Sequence, residues 1–160
     1  TIIEGKTAAL FSAACETGAM ISTDNLDHIN SFRKYGSAIG FCFQLIDDYL
    51  DYKGKSKIMG KELGDDFFNS KLTFPIILTL QKALKKDKEE IIKLFIKSNK
   101  SKYDLESLLE ILNKNNSLDH TKKEAIKWSK IAKKSLQSLP KSKIKNLLEQ
   151  ICDSIVSRKL

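Results

Sequence analysis

Three aspartates stand close together in the run FQLIDDYLDY, at Asp47, Asp48 and Asp51, directly after a stretch of apolar and small residues. Placed on a helix at about 100° per residue, with Asp47 as origin, Asp51 lies at about +40° and Asp48 at about +100°. Gln44 falls at about +60°, Phe43 at about −40°, Gly40 at about +20° and Gly36 at about −20°. All seven share one arc of roughly 140°, and the two glycines read as a shallow groove with Gln44 and the carboxylates at its mouth. Carboxylates on adjacent turns repel one another, and near a helix C-terminus the macrodipole disfavours them further. A hard divalent cation relieves both. Mg²⁺ takes a few carboxylate oxygens, keeps part of its water and commonly bridges to phosphate oxygens. The plainer alternative is a solvated helix end on which DDYLD is surface charge. Against it stand the apolar run before the aspartates and the Gly/Lys-rich loop after them, whose Lys61 and Lys71 suit the remaining charge of a phosphate group.

The elements that must hold these residues read as helices. The chain has 160 residues, 41% hydrophobic and 30% charged, with only 7 Gly and 2 Pro to interrupt it. That length makes residues 1–160 one domain, and the repeated Leu/Ile/Ala/Lys/Glu periodicity makes it all-α, a helical bundle. The Ala-dense segment from Thr1 to about Ile21 carries few charges and is expected to be buried. Ser22, Thr23 and Asp24 offer N-cap chemistry for a helix running to Tyr52. Gly54, Gly60 and Gly64 mark an irregular loop between Lys53 and Ser70, after which a helix resumes near Lys71 with Pro75 in its first turn. Amphipathic helices are predicted over roughly 88–98, 103–114, 119–138 and 142–157, separated at Ser101, Asn115–Ser117 and Pro140. Asp65 and Asp66 are expected to cap the following helix or hold the loop's lysines. Trp128, Phe95 and Tyr103 read as core, and the isolated His28 and His120 as structural or surface residues.

Charge is uneven. Up to Pro75 there are 8 Lys+Arg and 10 Asp+Glu, and beyond it 20 and 10, for the total of +8. A basic C-terminal half raises the question of nucleic acid or anionic membrane. Its cations are lysines with a single arginine, interleaved with acids, and lysine lacks the planar fork that reads guanine. An ordinary solvated helix surface is the simpler reading, and no nucleic-acid partner is expected. Cys15, Cys42 and Cys152 are odd in number and widely spaced, which argues against a disulfide framework or zinc site and for a reducing, cytoplasmic setting. No signal peptide or apolar run long enough to span a membrane is visible.

Three stretches in order resemble the C-terminal half of a trans-isoprenyl (polyprenyl) diphosphate synthase. GKTAALFSAACETGA (Gly5–Ala19) is similar to the helix with the family's Lys-Thr pair, YGSAIGFCFQLIDDYLDY to its second aspartate-rich motif, and GKELGDDFFNSKLTFP (Gly60–Pro75) to the loop that follows. The likeness covers about residues 1–80, its loop wording is closest to bacterial long-chain, octaprenyl-type members, and beyond it the helices fit in type only. The resemblance implies an isoprenoid-synthase-like bundle that performs Mg²⁺-assisted ionisation of an allylic diphosphate and condensation with isopentenyl diphosphate. It further implies that Asp47, Asp48 and Asp51 hold Mg²⁺, that Lys6, Lys61 and Lys71 contact the allylic diphosphate, that Thr7 and Gln44 stabilise the allylic cation, and that Phe43 lines the site near isopentenyl diphosphate. GKT alone also suggests a phosphate-binding loop, but the upstream glycine and strand which that loop needs are absent.

The family's first aspartate-rich motif and the arginines after it have no counterpart here, since Arg33 is the only arginine before Arg158. The chain therefore reads as a half missing the N-terminal helices: a fragment, a split product or one subunit, inactive alone. Apolar surface on residues 1–20 and 36–50 is then expected to be exposed, favouring a homo-oligomer or pairing with an N-terminal-half or intact synthase chain. Two other readings stand beside it: a non-catalytic helical subunit that stabilises an intact synthase, and a basic helical module for nucleic acid or anionic lipid. A long prenyl product further suggests transient contact with a membrane surface.

Overall fold

A computed structural model of the chain describes residues 4–53 and 63–158, with Glu4 and Lys6 described by backbone alone. The described residues form a π-helical turn, Glu4–Ala8, and eight α-helices: α1 (Ala9–Ser22), α2 (Leu26–Lys53), α3 (Asp65–Phe68), α4 (Phe74–Lys82), α5 (Lys85–Ile96), α6 (Lys102–Lys114), α7 (Ser117–Ser135) and α8 (Lys143–Ser157). There is no strand among them. The all-α expectation holds.

Local chemistry sets most of the helix ends. The N-cap of α2 is Asn25, whose Oδ1 accepts from the amides of Asp27 (2.9 Å) and His28 (3.2 Å); the expected Ser22–Asp24 cap lies a residue or more too early. Ser101 begins α6 with a full capping box, its hydroxyl accepting from the Asp104 amide while Asp104 accepts from the Ser101 amide. Ser142 caps α8 through the Lys145 amide. Pro75 sits in the first turn of α4, where its missing N–H leaves no intrahelical bond unmade.

Residue contacts divide the chain into two compact units, one of residues up to Ile46 together with those from Lys123 onward, the other of Asp47–Lys122. In the first unit the core gathers Tyr35, Ile39, Ala132, Leu136 and Cys152, with Phe11 and Trp128 packed against it. Trp128 stacks on Phe41 with ring centroids 4.4 Å apart, and the Tyr35 hydroxyl donates to the Leu148 carbonyl at 3.1 Å, tying α8 to α2. Helix α1 rests on α2 at the two glycines. A Cβ at Gly36 would stand 2.9 Å from Cys15 Cβ, and one at Gly40 2.7 Å from Ala8 Cα. The expected groove along this face is therefore filled: glycine there lets the two backbones meet rather than leaving room for a ligand.

The Ala-dense first helix is not buried as expected. Within α1 only Ala19 is buried, while Leu10, Met20 and Ile21 are 73%, 60% and 83% exposed. An exposed apolar face was anticipated for residues 1–20, and α1 shows it. Over 36–50 the anticipation fails, because Ala38, Ile39, Cys42, Leu45, Ile46 and Leu50 are all buried.

The second unit has its own core of Tyr52, Phe67, Ile76, Ile91, Leu94, Leu105, Leu108, Leu112 and Leu118. Each such side chain contributes about 1.5–3 kcal/mol when fully buried. Phe95 joins this core edge-on to Phe67, whereas Tyr103, expected inside, is 80% exposed. Gly64 has φ +77°, and a Cβ there would also meet the Leu105 side chain, so glycine is required on both counts.

Candidate functional site

Every carboxylate of the DDYLD run lies on the last two turns of α2, in the second unit. Asp47 and Asp51 are half-buried and Asp48 is buried. Residues from Gly64 onward supply donors to two of them. The Phe74 amide, first in α4, donates to Asp48 Oδ2 at 2.8 Å, and the Asp66 amide, in the first turn of α3, donates to Asp51 Oδ2 at 3.2 Å. Gly64 N–H closes on the Asp51 carbonyl at 2.8 Å, satisfying one of the carbonyls that the end of α2 leaves open. Negative charge at the C-terminal end of one helix is thus met by the first amides of two others.

Lys71 is held in the same region. Its Nζ donates to Asp66 Oδ1 at 2.9 Å, and this bond, with the attraction of the same carboxylate, raises its pKa and keeps it charged. Of the two expectations for Asp65 and Asp66, the structure bears out one: Asp66 holds a lysine, whereas the N-cap of α3 is Gly64 and neither aspartate side chain caps it. For Lys71 there is an adjustment. Its side chain is half exposed, and its ammonium is engaged with Asp66. Before α4, buried Thr73 donates to the Tyr52 hydroxyl at 3.2 Å, fixing the residue that precedes the Phe74 amide. Burial is the chief cause that raises the Tyr52 pKa, so its phenol stays neutral.

The remaining candidates belong to the first unit. Thr7 Oγ1 donates to Gln44 Oε1 at 2.7 Å, so the threonine of the GKT stretch and the glutamine before the aspartates do meet. Gln44 is buried. Phe43 is half-buried and packs on Phe11 with ring centroids 5.7 Å apart. The Lys6 side chain and Lys61 lie outside the described residues. His28 is half-buried and His120 exposed. Thr73, Gly64 and the Phe74 amide were missed by sequence reasoning. Their signal in the sequence is positional, a glycine and an X-Pro pair placed to turn the chain back toward α2.

The family model for polyprenyl synthetase matches residues 1–112. The chain belongs to the polyprenyl synthetase family. Among curated relatives, it is 31% identical to a short chain isoprenyl diphosphate synthase of Methanothermobacter thermautotrophicus over 98% of this chain and 48% of that one. It is 32% identical to the octaprenyl diphosphate synthase of Escherichia coli over 87% and 43%. Among solved structures, a polyprenyl synthase from Caulobacter crescentus, complexed with calcium and isoprenyl diphosphate, is matched with TM-score 0.90 and 33% identity over 99% of this chain and 48% of that one. The chain spans about half the length of the family members it matches.

Whether the family site can take a divalent ion is a question of donors. The three α2 candidates are all carboxylates, hard oxygen ligands. Among the described residues, however, no three of His, Cys, Asp and Glu stand together as a metal cluster, and Asp48 and Asp51 each give an oxygen to a backbone amide. Such a set fits an ion held by one or two carboxylates and completed by water and phosphate oxygens, not an all-protein cage. No helix among the described residues is long and apolar enough to cross a membrane.

Proposed function

We propose that this chain carries the second aspartate-rich half of a polyprenyl diphosphate synthase site, acting in prenyl transfer from an allylic diphosphate to isopentenyl diphosphate. The observation that carries this reading is the fixing of Asp48 and Asp51 by the amides of Phe74 and Asp66, beside a charged Lys71, on a family-matched sequence. When bound, Mg²⁺ would draw off charge as the allylic C–O bond ionises, held by one or two of the carboxylates of Asp47, Asp48 and Asp51. Lys71 neutralises the leaving diphosphate by exchanging Asp66 for phosphate oxygens, and Lys6 and Lys61 act with it. Cations fixed in advance favour the transition state, where that charge develops, over the ground state. Thr7 and Gln44 orient each other, and their oxygen dipoles suit the allylic cation. Phe43 flanks isopentenyl diphosphate. No side chain is needed as base, because the released diphosphate can take the proton.

The exposed apolar flank of α1 supports pairing with a second polypeptide surface, a copy of this chain or one bearing the first aspartate-rich motif, for the complete reaction. The test is calorimetric titration of farnesyl diphosphate into the purified chain, with and without Mg²⁺, beside Asp47→Ala/Asp51→Ala. Heat that requires Mg²⁺ and disappears in the variant is expected. Heat indifferent to Mg²⁺ or to the substitutions would refute the assignment.

A further inference from the structure

One face of α7 is built almost wholly from lysine. Lys123, Lys127, Lys130 and Lys134 follow at intervals of four, three and four residues, so they line one side of the helix over roughly 16 Å. All four are exposed, directly opposite the buried Ala125, Ser129 and Ala132. Among the described residues, an acid pairs with only one of them. Lys127 pairs with Glu124 at 3.0 Å, but among the described residues no ion pair involves Lys123, Lys130 or Lys134. Helix α5 shows the usual alternative, with Lys85 set against Glu89 and Lys93 against Glu90. Between the α7 lysines runs a shallow groove of about 500 Å³ whose floor includes Ile126 and Ile131.

Like charges at these spacings disfavour the helix, so the ridge is explained by what it attracts. We infer that this face of α7 docks on an anionic lipid bilayer. Lysines gain from a negative headgroup layer as point charges, without needing the flat, forked geometry of arginine. Their alkyl stems and Ile131 give the apolar contact that lets a cationic helix settle at the headgroup boundary. Nucleic acid fits less well, because no aromatic ring for base stacking and no arginine lies on the ridge. This inference does not depend on the diphosphate reading above.

The test is co-sedimentation of the full chain with phosphatidylcholine vesicles that contain or lack phosphatidylglycerol, across a series of salt concentrations. Binding only to the anionic vesicles, weakening as salt rises, is expected. Lys127→Gln/Lys134→Gln should weaken it about twenty-five-fold, from about fivefold per lysine. The same charge removed from α5 by Lys86→Gln/Lys93→Gln should weaken it by about twofold at most, if the ridge itself is what docks. Equal losses in the two variants, binding to neutral vesicles, or a stronger preference for duplex DNA at the same salt would overturn the inference. Circular dichroism of each variant checks that these exposed substitutions leave the helices intact.

Discussion

Changing Gly40 to alanine and Gly18 to alanine makes the same chemical alteration in two helices, with opposite signs expected from the packing. At Gly40 in α2 the new methyl would stand 2.7 Å from Ala8 Cα and 3.2 Å from Phe11 Cβ. Carbon atoms rest comfortably at about 3.5–4.0 Å, so the backbone at Ala8 must retreat by about 1 Å. Overpacking of this kind costs about 1–3 kcal/mol, while alanine in place of glycine inside a helix returns about 1 kcal/mol. Gly40→Ala should therefore lose about 1 kcal/mol net, rising to about 2 where α1 cannot yield. The retreat would also draw Thr7 away from Gln44, now 2.7 Å apart. At Gly18 in α1 nothing lies within 4 Å of the added carbon, so only the gain remains, about 0.5–1 kcal/mol. Urea unfolding followed by fluorescence of Trp128, the one tryptophan and part of the same packed unit, measures both. A Gly40→Ala protein as stable as the parent, or a Gly18→Ala protein clearly weaker, would refute the view that α1 and α2 meet backbone to backbone.

Other outcomes follow from the second unit and the thiols. Asp48→Ala leaves the Phe74 amide without its carboxylate and should lose about 1–3 kcal/mol in urea unfolding, whereas Asp48→Asn keeps an acceptor oxygen and should lose less. If Asp48 is a metal ligand, both abolish Mg²⁺-dependent diphosphate heat. Lys97, at 2.6 Å, together with the Ser101 amide and hydroxyl, lowers the Asp104 pKa to about 2 from 3.8. A lowered carboxylate stabilises the fold above its unfolded pKa and loses that contribution as pH falls through the folded value. The stability gap between parent and Asp104→Asn should hold steady at neutral pH and close between about pH 4 and pH 2 in thermal melts; a gap unchanged at the acid end would count against the pairing. Burial raises all three thiols, Cys42 up to about 12, so access decides which reacts, and only Cys15 is not fully buried. A thiol reagent on the native chain should thus label half-buried Cys15 before the other two, as peptide mapping would show.

How much of this was legible beforehand follows from the range of the forces involved. Helix type, most helix spans, the Ser101 boundary and the cluster at Asp47, Asp48 and Asp51 are local matters of period, capping chemistry and spacing, and the sequence by itself determined them. The first helix shows the limit of composition: alanine and few charges predicted burial, yet Leu10, Met20 and Ile21 face outward, because burial depends on what is packed above a helix. The glycines show it again. Gly36 and Gly40 share a face with the aspartates in any helical projection, but only the packed backbones reveal that the chain from Ala8 to Cys15 lies directly on the two glycines. Contacts between residues distant in the chain belong to tertiary structure alone. The bonds from Phe74 to Asp48, Asp66 to Asp51 and Thr7 to Gln44 join positions 26, 15 and 37 residues apart. A hydrogen bond acts over about 3 Å, so its partners are decided by how the chain returns on itself, which no local pattern encodes.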